Sequence, residues 1–330
     1  MCNSATLGLI PQNAYFDREI ANSNNTEGYY VIEYGDFVYN PRKSVSAPYG
    51  PVNIYTGSIK GIISPLYLCF SVHSIMPSFL YYRFKSSVWF SYVYSHGDTG
   101  TRFDRVSIKD DVFFEMPIYM PSSKEQIKIA NLMALLDERI ATQNKIIDRL
   151  QSLIKGIAHK VSKQGKPNIR LSECLLCTSS TLQESDVAEV GAYPVYGANG
   201  IVGYLDTYNT TSEAIYIIKD GSGVGAVSCV KGKCSATGTL NILQTKEGFS
   251  LRYLYFILKV FSFEPYKTGM AIPHIYFKDY GKAKIYCPSN QLQCKYADLL
   301  SKIEQKATAE QKILDNLCSQ KQYLLCQMFI

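Results

Sequence analysis

The chain has 330 residues and a mass of 37.1 kDa, enough for two or three domains with cores of their own. It is 46% hydrophobic and 19% charged, with a mean hydropathy of −0.07, which excludes a disordered polyelectrolyte, a collagen-like chain and a membrane-embedded one. The net charge of +6 points only weakly to a polyanionic partner, because its meaning depends on where the cations lie.

The N-terminus, residues 1–10, has neither the basic head nor the long apolar segment of a secretory signal. No stretch approaches the roughly 18 apolar residues of a membrane span, so a cytoplasmic chain with reduced thiols is expected. Residues 29–34 and 36–39 read as strands around the Tyr34-Gly35-Asp36 turn, and 61–70 contains another. An aromatic helical stretch, Phe79 to Phe84, follows and is read as core rather than as a platform for stacked bases. A polar loop, 95–105, and one last strand complete a globular segment over 1–117.

Pro121-Ser122 then opens a charged amphipathic run, a helix-start pattern. Along it Met133, Leu136, Ile140, Gln143, Ile147, Leu150, Ile154, Ile157 and Val161 alternate spacings of three and four, the seam of a coiled coil. The helix, assigned to 118–163, ends at the breaker cluster Gln164-Gly165-Lys166-Pro167. Its helical run of about 38 residues would be roughly 57 Å long at 1.5 Å per residue.

A second globular segment spans 168–284. Short strands are expected at 201–204, 214–218 and 226–230 between Gly- and Asn-rich turns, with an aromatic helix at 251–258 and a polar loop at 266–274. The chain closes on another long helix, assigned to 285–330.

The two helices are copies. Residues 118–150 and 285–317 align without a gap, matching at Ile118/Ile285, Tyr119/Tyr286, Pro121/Pro288, Ser122/Ser289, Gln126/Gln293, Ala130/Ala297, Leu132/Leu299 and Lys145-Ile146/Lys312-Ile313. The second seam reads Leu300, Ile303, Ala307, Glu310, Leu314, Leu317, Lys321, Leu324 and Met328. Its polar position Glu310 coincides with Gln143, and a polar group in a seam can fix register at a cost in stability. The plain alternative, an amphipathic helix lying on a globular core, fits less well a seam sustained over four heptads in both copies. The plan is α+β: two β-rich segments, each followed by a long helix, with the seams paired antiparallel about a pseudo-twofold axis.

Ten cysteines are scattered along the chain. Cys174 and Cys177, with Cys229 and Cys234, have a conceivable zinc spacing, but two leucines fill the gap where a knuckle has turn residues. Buried core thiols are the plainer reading, and no metal site is assigned. The glycine turn Lys219 to Gly225 lacks the Gly-Lys-Ser/Thr ending of a nucleotide loop. Asn40-Pro41 resembles the opening of an adenine methyltransferase motif, which Arg42 and Lys43 break. His73, His96, His159 and His274 have no evident partners in sequence, and no catalytic residues are assigned. What remains is a set of phosphate- and base-competent side chains in loops. In the first segment these are Asn40, Arg42, Lys43, Lys60, Arg102 and Arg105; in the second, Asn199, Lys219, Ser222, Lys231, Lys233, Lys267, His274 and Lys278. A solvated surface charge is the ordinary reading of any one of them; the group is better supported than its members.

The chain resembles the specificity subunit of a type I restriction–modification system. The resemblance rests on Pro121 to Ala130 with Leu136 to Ile140, on the second copy from Pro288, and on Gly35 to Arg42, Tyr193 to Tyr204 and Thr268 to His274. It implies two target-recognition domains separated by the paired helices, which act as a ruler between two halves of a split double-stranded DNA target. It implies docking of modification (methyltransferase) subunits on the helices, and of a restriction (translocase and nuclease) subunit in the full complex. S-adenosylmethionine, ATP and magnesium are then expected only on those partners, and this chain catalyses nothing. Asn168 to Glu173 resembles the usual start of a recognition domain, whereas Met1 enters the first domain without a counterpart, so that domain is expected to be short. A different class of function, a coiled-coil assembly or anti-restriction protein that binds modification subunits without reading DNA, stays open at this point.

Overall fold

In the computed structural model, which describes residues 1–16, 26–97, 104–269 and 272–329, the β-branched and aromatic stretches form short strands and the heptad runs form two long helices. The chain divides into two compact units, 1–143 with 313–330, and 144–312, so each long helix contributes one part to each unit.

In the first unit the strands are β1 (Cys2–Ser4), β2 (Gly8–Ile10), β3 (Tyr30–Ile32), β4 (Phe37–Tyr39), β5 (Val52–Ile54), β6 (Gly61–Ile63) and β7 (Leu68–Phe70). Three short helices follow, α1 (Pro77–Lys85), α2 (Phe90–His96) and α3 (Asp110–Phe114), and then the long α4 (Ser123–Ser162). β1 and β2 form a hairpin, β3 pairs with β6, and β4 lies between β5 and β7, all antiparallel. The Tyr34-Gly35-Asp36 turn does not make a hairpin of its flanking strands. Gly35 at φ +95° redirects the chain from one sheet to another. Phe37 and Tyr39 face a core with Leu80, Phe84, Trp89 and Phe113. Their neighbour Val38 faces a second cluster with Ile32, Tyr55 and Ile63, as strand alternation requires.

After the α4 part of the second unit come β8 (Ile169–Arg170), the single turn α5 (Leu171–Cys174) and β9 (Leu175–Ser179). It continues through β10 (Tyr193–Gly197), β11 (Gly200–Leu205), β12 (Ala214–Ile218), β13 (Val227–Val230), β14 (Ser235–Ala236) and β15 (Leu240–Thr245). Then come α6 (Leu251–Val260), α7 (Phe277–Tyr280), β16 (Lys284–Ile285) and the long α8 (Asn290–Met328). The main sheet runs β13-β12-β15-β9, fully antiparallel, and a smaller one runs β11-β10-β14. Ile215 and Ile217 of β12 pack under α6, whose residues from Tyr253 to Leu258 are all buried.

The helices start later than the sequence reading placed them, at Ser123 rather than 118 and at Asn290 rather than 285. Ser122 and Glu125 exchange backbone and side-chain hydrogen bonds at the start of α4, a capping box. Ile285 is strand, paired with Ile169. Of the seam, Met133, Leu136, Ile147, Ile154, Leu300, Leu314 and Leu317 are buried, and Ile140, Leu150, Ile157 and Ile303 are half-buried. Gln143 and Glu310 are buried in it too. Beyond Leu317 the buried positions move by one: Leu325 and Phe329 are covered and Leu324 only half so. The cause is packing against α1, where the Phe329 ring lies 5.3 Å from that of Phe79.

Within each unit the long helix is clamped to the aromatic helix in the same way. Gln126 accepts a hydrogen bond from the Met76 amide, at the start of α1, at 2.9 Å and donates to the Pro121 carbonyl at 3.0 Å. Gln293 accepts from the Ser250 amide, at the start of α6, at 3.0 Å and donates to the Pro288 carbonyl at 2.9 Å. About three turns further along each long helix, Tyr82 donates to Asp137 and Tyr255 to Glu304. In the second unit Tyr296 bonds Gln164, while Ile147 and Gln151 line one groove with Thr308 and Gln311, so the two helix segments run antiparallel there.

Candidate nucleic-acid interface

Each unit brings two loops together at the C-terminal end of its central strand. In the first, the chain leaving β4 meets the segment before α3: the Val106 amide bonds the Pro41 carbonyl at 2.9 Å, and the Lys43 amide bonds that of Asp104 at 2.8 Å. Arg42 and Arg105 face each other across this bridge. In the second, the chain leaving β12 meets the segment before α7. The Ile275 amide bonds the Lys219 carbonyl at 2.9 Å, and the Gly221 amide bonds that of Pro273 at 3.0 Å. Asp220 and His274 are the facing pair. The backbone stations correspond one for one, Pro41 with Lys219, Arg42 with Asp220, Arg105 with His274 and Val106 with Ile275. The side chains at the facing stations are unlike. One scaffold therefore carries two chemistries.

Glycine makes both loops possible. Gly50, which closes the loop opened by Asn40, has φ +84°, and a Cβ there would stand 2.0 Å from the Asn40 carbonyl oxygen. Gly269 has φ +88°, and a Cβ would stand 2.3 Å from the Ile272 oxygen.

In the first unit Arg42 Nε lies 3.8 Å from the Asp104 carboxylate, and the Arg42 side chain is two-thirds exposed. Lys43 follows on the same loop. The Asn40 side chain is engaged inside the domain: its oxygen accepts from the Arg42 amide and its nitrogen donates to the Asn3 carbonyl. It shapes the loop that presents Arg42. Lys60 lies away from this bridge, before β6, 2.5 Å from Glu33. Arg102 lies outside the described residues.

In the second unit the bridge holds Lys219, Ser222 and His274, with Lys267 and Lys278 on the flanking chain. His274 Nδ1 is 2.6 Å from Asp220 Oδ1, with both side chains about one-third exposed. The carboxylate fixes the ring, so that Nε2 is the nitrogen left to meet a ligand. Lys267 pairs with Glu264 at 2.5 Å, and Lys278 lies over the Tyr276 ring. The other candidates are elsewhere. Lys231 and Lys233 follow β13, beside the start of β12 and thus at the opposite end of that strand from Lys219. There Lys231 approaches Glu213, and Lys233 lies over the rings of Tyr208 and Tyr193. Asn199 occupies the turn between β10 and β11.

Asp220 is the residue that sequence reasoning missed. It stands 54 positions from His274, and nothing in a single sequence announces a pair that only the crossing of two loops creates. The cysteines do not converge either, with Cys174 and Cys234 in different apolar clusters. Among the described residues no three His, Cys, Asp or Glu side chains are grouped to hold a metal ion.

Residues 174–318 match the model of the type I restriction modification DNA specificity domain. A putative type I specificity subunit of Mycoplasma genitalium is 26% identical over 253 residues, covering 70% of this chain and 65% of its own length. The specificity subunit of the Escherichia coli type I restriction enzyme EcoprrI is 26% identical over 112 residues, 34% of this chain and 28% of that protein. The chain thus spans under two-thirds of either relative. Among solved structures, an M. genitalium type I restriction-modification S subunit shares the fold with a TM-score of 0.60 at 20% identity, covering 94% of this chain and 87% of that one. A chain from a structural study of complex assembly in a type I system gives 0.58 at 16% identity, covering 89% and 81%.

Proposed function

We propose that this chain, whose residues 174–318 match the model of the type I restriction modification DNA specificity domain, is the DNA-reading subunit of such a complex and itself carries out no chemical step. Each domain reads one half of a bipartite double-stranded target through its paired loops. The modification subunits dock on the long helices, and the restriction subunit joins the full assembly. S-adenosylmethionine, ATP and magnesium belong to those partners, and the site of action is the cytoplasm. No helix among the described residues is long and apolar enough to cross a membrane.

The observation that carries this reading is the repeated loop crossing with unlike side chains, Arg42 opposite Arg105 in one domain and Asp220 opposite His274 in the other. Arginine suits phosphate or a guanine edge, and an imidazole oriented by a carboxylate offers one directed nitrogen. The test is binding of the full chain, with its modification subunit, to a library of duplexes with two half-sites. One bipartite sequence is expected to bind at least a hundredfold tighter than the rest, with affinity falling as salt rises. Equal affinity for all duplexes refutes the proposal and favours an assembly role.

A further inference from the structure

His274 is fixed through both its backbone and its ring. Its amide donates to the Thr268 carbonyl at 2.7 Å, and its carbonyl accepts from the Thr268 amide at 2.9 Å. On either side of it, Pro273 accepts from the Gly221 amide, and Ile275 is fully buried with its amide on the Lys219 carbonyl. Nδ1 of the ring lies 2.6 Å from Asp220 Oδ1. Gly269 borders the opposite edge, where a Cβ would stand 3.1 Å from Cδ2, so a residue without a side chain leaves the ring its place.

The chemistry of the pair assigns the proton. An ionised carboxylate only accepts hydrogen bonds, so the imidazole places its N–H at Nδ1. In the neutral ring Nε2 then carries a lone pair and accepts. A lone pair cannot bond a phosphate oxygen, the O6 and N7 of guanine or the O4 of thymine, which are all acceptors themselves. In the major groove it matches the N6 amino group of adenine or the N4 amino group of cytosine. The corresponding crossing of the first unit faces Arg42 to Arg105, and guanidinium groups only donate. The two crossings therefore offer opposite polarity.

We propose that His274 is the specificity-determining residue of the second unit's loop crossing, its Nε2 accepting a hydrogen bond from the exocyclic amino group of one adenine or cytosine in the major groove. Asp220 is its positioning residue, holding the proton on Nδ1. This role rests on the DNA-reading function proposed above and names the base chemistry that the crossing takes. It carries a dependence on pH. Asp220 is the charge facing the ring, Lys267 on the neighbouring chain is paired with Glu264, and Lys219 and Lys278 flank the crossing. Of these residue types only imidazole ordinarily changes charge between about pH 5 and 8. A second proton enters the ring at Nε2, which becomes a donor and no longer accepts from an amino group.

The full chain with its modification subunit, without S-adenosylmethionine, first selects its sequence from duplex libraries at about pH 8.5, where imidazole is neutral. Expected is one position, in one half-site, that requires adenine or cytosine and loses that requirement in His274→Ala. Binding is then measured on duplexes in which that base is replaced by its analogue without the amino group, purine for adenine or 2-pyrimidinone for cytosine. Removing the amino group is expected to weaken wild type at least about fivefold and to cost His274→Ala far less. At about pH 5 the wild-type loss should shrink below about twofold, with selection in the other half-site unchanged. This arm needs only the wild-type chain and decides even where the variant is unstable. An equal loss in wild type and His274→Ala, a loss that persists at the lower pH, or a His274-dependent position that requires guanine or thymine overturns the proposal. So does a His274→Ala effect spread evenly over all sequences, which marks a phosphate contact or a structural role. A complex that selects no sequence refutes the DNA-reading function as well, whereas selection without this coupling refutes the part of His274 alone.

Discussion

Replacing Gln293 by leucine tests the duplicated clamp. Gln293 is 2% exposed, and its amide satisfies two backbone groups, the Ser250 N–H and the Pro288 carbonyl. Leucine keeps most of the volume and leaves both groups without that partner, each at a cost of about 1–3 kcal/mol. Added apolar burial offsets about 1 kcal/mol, so the net loss is about 1–5 kcal/mol. Gln126→Leu makes the same change to the Met76 N–H and the Pro121 carbonyl, and should cost the same within about 1 kcal/mol. A chain of two units need not unfold in one step, so the assay is native-state hydrogen exchange resolved at the first turns of α1 and α6. Gln293→Leu is expected to speed exchange at the start of α6 by about fivefold to several-thousandfold and to leave α1 unchanged, and Gln126→Leu the reverse. A loss below about 0.5 kcal/mol in both variants would refute the claim that the clamp holds helix to domain.

Other outcomes follow from the loops and from buried thiols. Asp220→Ala and His274→Ala should each weaken recognition of one half-site by about 1–3 kcal/mol, with the other half-site's selectivity unchanged in the same binding assay. Arg42→Gln with Arg105→Gln should flatten the dependence of log affinity on log salt by about 0.9 for each phosphate contact removed, measured by titration at several salt concentrations. Burial pushes the thiols of Cys69, Cys177 and Cys287 up to about 11 and those of Cys174 and Cys229 up to about 12. Above pH 9 the unfolded chain loses protons that the folded chain keeps, so stability present below that pH should fall between pH 9 and 12, read as the urea midpoint. Lys85 acts oppositely. Burial, helped by Lys321, lowers its pKa to about 8, so it adds stability as pH rises from 8 toward its ordinary value, and Lys85→Met should steepen the alkaline loss.

The long helices were legible because a heptad seam and a gapless repeat are local signals, and the burial of Met133, Leu136, Leu300 and Leu317 follows the three-four spacing directly. The helix ends were less so. Ile285 belongs to a strand because Ile169, over a hundred residues earlier, supplies its partner. The aromatic helices were visible as runs, whereas α5 and α3 are too short to leave a periodicity. The correspondence of Arg42 and Arg105 with Asp220 and His274 was hidden because the loops differ in length and side chain, and only the backbone register shows it. The network joining Asn3, Asn53 and Lys85 links residues 32 and 50 positions apart, and no pattern in one sequence encodes that distance.

The most direct test of the central claim is to sequence methylated adenines in the cells that encode the chain, with the gene intact, deleted, and carrying exchanged loops at 219–225 and 267–274. The account predicts a bipartite methylated motif that vanishes on deletion and changes in one half only when those loops are exchanged. An unaltered motif in all three strains would contradict it.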